Sequence, residues 1–112
     1  MISLMQQEIF SEPEMLKRTV AACAPVLPEI RKAFKDKGIT NIVTMARGTS
    51  DNAATVFSFV CPLYSGMKVG KFHPSLTTVY DADVDMKNTC MVVVSQSGMS
   101  KDTIAVLRKA KK

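Results

Sequence analysis

The sequence predicts an α/β fold built on a parallel sheet. Two observations carry that prediction. Strand-like and helix-like segments alternate from Asn41 to the end of the chain, in the order strand, helix, strand, helical turn, strand, helix. The first strand candidate, Asn41 to Ala46, is apolar enough to be covered on both faces, as strands of parallel sheets are. Right-handed crossovers are the expected connections. Only three strands are visible, fewer than the roughly 5–6 of an average sheet. The expectation is therefore an incomplete sheet, or one completed by another chain.

The elements follow in order. Ser11-Glu12-Pro13-Glu14 reads as a helix start, with Ser11 as cap, Glu14 at capping-box spacing and Pro13 in the first turn. That helix would turn Met15, Leu16, Val20 and Cys23 inward and end near Pro25. A second helix would begin around Pro28, bury Ile30 and Phe34, and stop at Gly38. Residues 1–40 thus read as a helical extension, and residues 41–112 as the α/β part.

Asn41 to Ala46 opens the alternation. "RGTSDNA" leads into a helix from about Asp51 to Ser65, with Gly66 as its stop. Val56, Phe59, Val60 and Leu63 form one apolar stripe on it, and Phe57, Cys61 and Tyr64 another. Two stripes predict burial on two sides, against the sheet and against a partner subunit in a homodimer. Pro62 should kink this helix. Lys68 to Phe72 is a weaker strand, and "HPSLTTVY" holds a short helical turn. Thr89 to Val94, with three consecutive valines, is the strongest strand. Ser100 to Lys111 is an amphipathic helix with Ile104, Leu107 and Ala105 facing in.

Composition narrows the function classes. The 112 residues are 46% hydrophobic, enough for one small domain with a core. No apolar run approaches the roughly 20 residues that span a bilayer. No basic segment precedes an apolar stretch at the N-terminus, so no signal peptide is read. Three dispersed cysteines among apolar neighbours predict buried reduced thiols and, with the missing signal, a cytoplasmic protein. The net charge is +5, but up to Leu107 there are 11 basic against 10 acidic residues. The excess sits in the final "RKAKK", where cations complement a helix end. That pattern argues against nucleic acid, which needs a basic face with interleaved aromatics. Neither a membrane nor a metal is implied. Asp81, Asp83 and Asp85 lack further oxygen ligands and read as a solvated loop. His73, the only histidine, reads as a surface or packing residue.

Two loops carry the chemistry. Arg47-Gly48-Thr49-Ser50 follows the first strand, and Ser95-Gln96-Ser97-Gly98-Met99-Ser100 follows the third. In open α/β sheets, ligands bind at the carboxyl ends of strands. Each loop has a glycine, Gly48 or Gly98, for a tight turn and close backbone approach. Each offers hydroxyl donors, and each leads into a helix whose first N–H groups favour an anion. Ser95, Gln96, Ser97 and Ser100 suit a phosphate, while Thr49 and Ser50 suit sugar hydroxyls. Either loop alone would be an ordinary helix cap; two on one sheet argue for a site. Neither matches a Walker A or dinucleotide fingerprint, and no cofactor is predicted. Asp51 reads as a helix cap, because a carboxylate beside a phosphate would repel it.

"ARGTSDNAA" and "SQSGMSKDT" together resemble the two sugar-phosphate loops of the SIS (sugar isomerase) domain family. Within it, the chain resembles the isomerase half of glucosamine-6-phosphate synthase. It looks closer still to relatives without a glutaminase domain, the sugar-phosphate deaminases and ketose/aldose isomerases. The resemblance runs from about Glu8 to the end. It implies a three-layer, flavodoxin-like α/β sandwich, here incomplete, that binds a hexose or amino-hexose 6-phosphate. It implies phosphate binding by Ser95, Gln96, Ser97 and Ser100, and sugar contact by Thr49 and Ser50. The chain departs from the family at Ser100, commonly Thr, and at Met99, commonly Glu. Arg47 stands where the synthase has Cys and deaminase-like relatives often have Arg. The family's catalytic Glu, Lys and His come mostly from a second domain or a neighbouring subunit, and no residue here is a convincing base. The implied activity is sugar-phosphate isomerisation or deamination; the alternative is a non-catalytic sugar-phosphate sensor of the same fold.

Overall fold

A computed structural model describes all 112 residues, which form two compact units, Met1–Lys37 and Gly38–Lys112. The first unit is helical. Helix α1 (Leu4–Cys23) passes through a 3-10 turn (Ala24–Val26) into α2 (Leu27–Asp36). The start of α1 corrects the sequence reading. Its cap is Ser3, not Ser11: the Gln6 N–H donates to Ser3 Oγ at 3.2 Å, and the Ser3 N–H donates to Gln6 Oε1 at 2.9 Å. This reciprocal box satisfies two otherwise orphaned donors. Pro13 lies inside the helix, and Ser11 Oγ donates back to the Glu8 carbonyl. Met15, Leu16, Val20 and Cys23 do not turn inward; all four are exposed. Ile30 is exposed too, and Phe34 is only half-buried.

The second unit is the α/β part. Its elements are β1 (Asn41–Ala46), α3 (Ser50–Ser65), β2 (Val69–Lys71), α4 (Ser75–Thr78), β3 (Thr89–Val94) and α5 (Lys101–Ala110). The three strands form a parallel sheet in the order β2-β1-β3. Ile42 pairs with Val69 on one side and with Cys90 on the other. The strand order fixes the layers. The chain moves from β1 to β2 in one direction, then crosses back over β1 to reach β3. Right-handed connections place α3 on one face of the sheet and α4 on the other.

Strand alternation agrees with this layering. Met45 packs with Phe72 and Val106, and half-buried Val43, Leu76, Met91, Val93 and Leu107 surround them. That is the α4 and α5 face. Ile42, Thr44 and Ala46 point to the other face and are buried there, as is Ala54 of α3. Thr44 Oγ1 donates to the Gly70 carbonyl, so its burial leaves no polar atom unpaired.

Two helices turn differently from the expectation. In α5 the buried residues are Thr103 and Val106; Ile104 and Leu107 are half-buried and Ala105 is exposed. In α3 the Phe57 and Cys61 side is half-buried, whereas Val56, Phe59, Val60, Leu63 and Tyr64 are exposed. The helix runs through Pro62 and stops at Gly66, which takes the left-handed cap conformation. All three cysteines are free. Cys23 is exposed rather than buried, and burial pushes the half-buried Cys90 thiol up from its ordinary value.

The connection to β3 is tied to α5. Lys109 Nζ donates to the Asp81 carboxylate at 2.6 Å and to its carbonyl at 3.0 Å. The Lys109 hydrogen bond and charge hold the Asp81 carboxyl below its ordinary range. No helix is long and apolar enough to cross a membrane.

Candidate functional site

The strand order identifies one position at the carboxyl end of the sheet as special. The loop leaving the carboxyl end of β1 leads to α3 on one face of the sheet, and the loop leaving the carboxyl end of β3 leads to α5 on the other face. Between the ends of β1 and β3 the flanking loops therefore part. In open α/β sheets that switch point is where a crevice forms. The loops found there are the two singled out in the sequence, residues 47–50 after β1 and residues 95–100 after β3.

The loop after β3 is organised by its own hydroxyls. The Gly98 N–H donates to Ser95 Oγ at 3.0 Å, and the Met99 N–H donates to Ser97 Oγ at 3.2 Å. Each hydroxyl acts there as acceptor, which leaves its O–H available to donate. Ser100 is the cap residue of α5 in extended backbone conformation, yet its side chain makes no capping hydrogen bond. Its hydroxyl is thus not consumed by the helix. The Ile104 N–H donates to the Ser100 carbonyl, while the N–H groups before it belong to the first turn, which has no internal acceptors. Gln96 is exposed beside these groups.

The loop after β1 repeats the plan. Thr49 is the cap residue of α3 and its side chain makes no capping bond. Ser50 is the first helical residue, half-buried. Gly48 and Gly98 adopt φ of +60° and +65°, a region that L side chains rarely enter. No atom lies within 4 Å of where a Cβ would sit on either, so within this chain the turn, and not crowding, requires glycine.

Two ion pairs at this end of the sheet escaped the sequence reading. Arg47 Nη1 donates to the Asp102 carboxylate, joining the loop after β1 to the first turn of α5. Lys71, at the end of β2, pairs with Asp51 in the first turn of α3. Asp51 is therefore not the cap of α3, which is Thr49; it is a first-turn residue with its own counter-ion. The partners lie 55 and 20 residues apart, so only the strand order brings them together. A shallow depression beside the loop after β1 is lined by Ala46, Arg47, Gly48, Asp51, Lys71 and His73. His73 is exposed there. No group of three His, Cys, Asp or Glu side chains is gathered to hold a metal ion.

The fold is α/β on a parallel sheet, and comparisons with known proteins show what the chain is similar to. No family model matches the chain. A crystal structure from Silicibacter pomeroyi, provisionally named a phosphosugar isomerase, superposes with a TM-score of 0.87 at 32% identity, covering 98% of this chain and 34% of that one. Two curated relatives are isomerising glutamine–fructose-6-phosphate aminotransferases. The one from Clostridium acetobutylicum is 30% identical over 96% of this chain, and the one from Methanocaldococcus jannaschii 34% identical over 96%. The chain spans 18% and 9% of those relatives' lengths.

Proposed function

We propose that the chain binds a hexose or amino-hexose 6-phosphate at the carboxyl ends of β1 and β3, as the sugar-phosphate-holding part of an isomerase or amino-sugar-phosphate deaminase. The observation that carries this reading is the pair of donor-rich loops at the switch point, with the Ser95, Ser97 and Ser100 hydroxyls uncommitted as donors. The named activities of the relatives, which act on or are assigned to phosphosugars, support the same ligand class. In this reading Ser95, Gln96, Ser97 and Ser100 hold the phosphate. Thr49 and Ser50 meet the sugar, and Gly48 and Gly98 shape the turns. In this reading the chain's part in such a reaction is to bind and orient the sugar phosphate.

The test is calorimetric titration with fructose 6-phosphate, against fructose and inorganic phosphate. Tighter binding of the sugar phosphate than of either part is expected. Absence of binding to all three would leave the loops as helix caps only.

The exposed stripe of α3 supports a homodimer. Val56, Phe59 and Leu63 are 63%, 75% and 70% exposed on one helix face, an apolar strip that water disfavours. The second copy of the chain is the partner of this reading. Sedimentation should give a dimer for the wild type and a monomer for Phe59→Asp; a monomeric wild type would refute it.

A further inference from the structure

The Arg47–Asp102 pair has a role that its stability contribution does not explain. Both side chains are partly exposed, 60% and 38%, and such pairs add little to folding. Its position is more informative. Asp102 is the second residue of α5, two positions after the Ser100 cap. A carboxylate there is drawn to the positive end of the helix dipole, and an incoming phosphate would be drawn to the same end. Bare, Asp102 would repel that phosphate. Arg47 reaches across from the other loop and neutralises it. The same device recurs next door. Asp51 is the second residue of α3, and Lys71 from the end of β2 takes its charge. The two helices that follow the donor-rich loops, α3 and α5, thus each carry an acid in the first turn, and each acid is matched by a cation from the end of a neighbouring strand.

We infer that Arg47 is a positioning residue of the phosphate site, acting through Asp102: it cancels the Asp102 charge and so opens the first turn of α5 to an anion. This rests on the phosphosugar reading above. The charge of the pair, and not a direct bond from Arg47 to the ligand, then sets affinity.

The test is a four-member cycle titrated with fructose 6-phosphate: wild type, Arg47→Gln, Asp102→Asn and the double variant. Arg47→Gln is expected to weaken binding about tenfold, as a lone carboxylate near a dianion in a partly exposed site should. Asp102→Asn is expected to bind at least as tightly as the wild type. The double variant is expected to recover to within about twofold of it. The Arg47→Gln defect should also shrink with added salt, because the repulsion it unmasks is screened. A double variant as weak as Arg47→Gln would make Arg47 a direct ligand and overturn the inference. Weakened binding by Asp102→Asn would do the same, by showing that the pair only holds the loops' shape. An unaffected Arg47→Gln would overturn it as well. A wild type that binds no sugar phosphate would fail the phosphosugar reading itself, before any variant is compared.

Discussion

Replacing Ser97 and Ser100 together by alanine is expected to weaken fructose 6-phosphate binding by about a hundredfold or more, with the melting temperature nearly unchanged. A hydrogen bond to a charged acceptor is worth about 1.5–3 kcal/mol, and two such donors are removed. The second half of the prediction separates the two readings of these loops. If Ser100 served only to cap α5, its loss would cost about 1 kcal/mol of stability and leave ligands indifferent. The structure shows no such capping bond to lose. Ser97 does hold the Met99 N–H, so its removal loosens the loop locally. The single variants therefore matter: Ser100→Ala should lower affinity without altering thermal melting, measured by circular dichroism beside the titration. A variant that melts earlier and binds normally would return Ser100 to the role of an ordinary cap.

What the sequence disclosed about this site was local, and what it hid was not. The β1 and β3 runs, the Gly66 stop and both loops depend on residues within a few positions of each other, and periodicity and turn chemistry reveal them. The start of α1 was equally local but ambiguous. Two serines head possible helix starts, each with a Gln or Glu three residues on, and Pro13 favours the later one; in the structure the box forms at Ser3 with Gln6, and Ser11 lies inside the helix with its hydroxyl bonded back to the Glu8 carbonyl. The inward face of α5 was misjudged because Thr103 is polar, yet it lies one turn from Val106 and is buried with it. The pairing of Arg47 with Asp102 could not be read at all. Nothing near Arg47 announces a partner 55 residues away; the parallel pairing of β1 with β3 supplies it.

The same central strand that delivers Arg47 to the site also carries the core, and Met45→Ala should show how much rests on it. Met45 has no exposed surface and packs against Phe72 and Val106 in the middle of the sheet. Truncating a buried methionine costs about 2–5 kcal/mol, the lost transfer energy plus the cavity left behind. Small domains have total stabilities near the low end of about 5–15 kcal/mol, so this one change removes a large fraction. The urea midpoint should fall steeply with an unchanged slope, the mark of lost stability without a change in the surface exposed. Met45→Leu, which nearly preserves volume, should cost less than about 1.5 kcal/mol. Met45 lies in neither donor-rich loop and packs on Val106, well inside α5 and not at its start, so Met45→Ala should bind fructose 6-phosphate normally wherever it remains folded. A loss of affinity in the folded variant would mean that the core also sets the spacing of the two loops. A small loss of stability would mean that Phe72 and Val106 close over the gap, or that the weight of the core lies on the Ile42 and Ala54 side of the sheet.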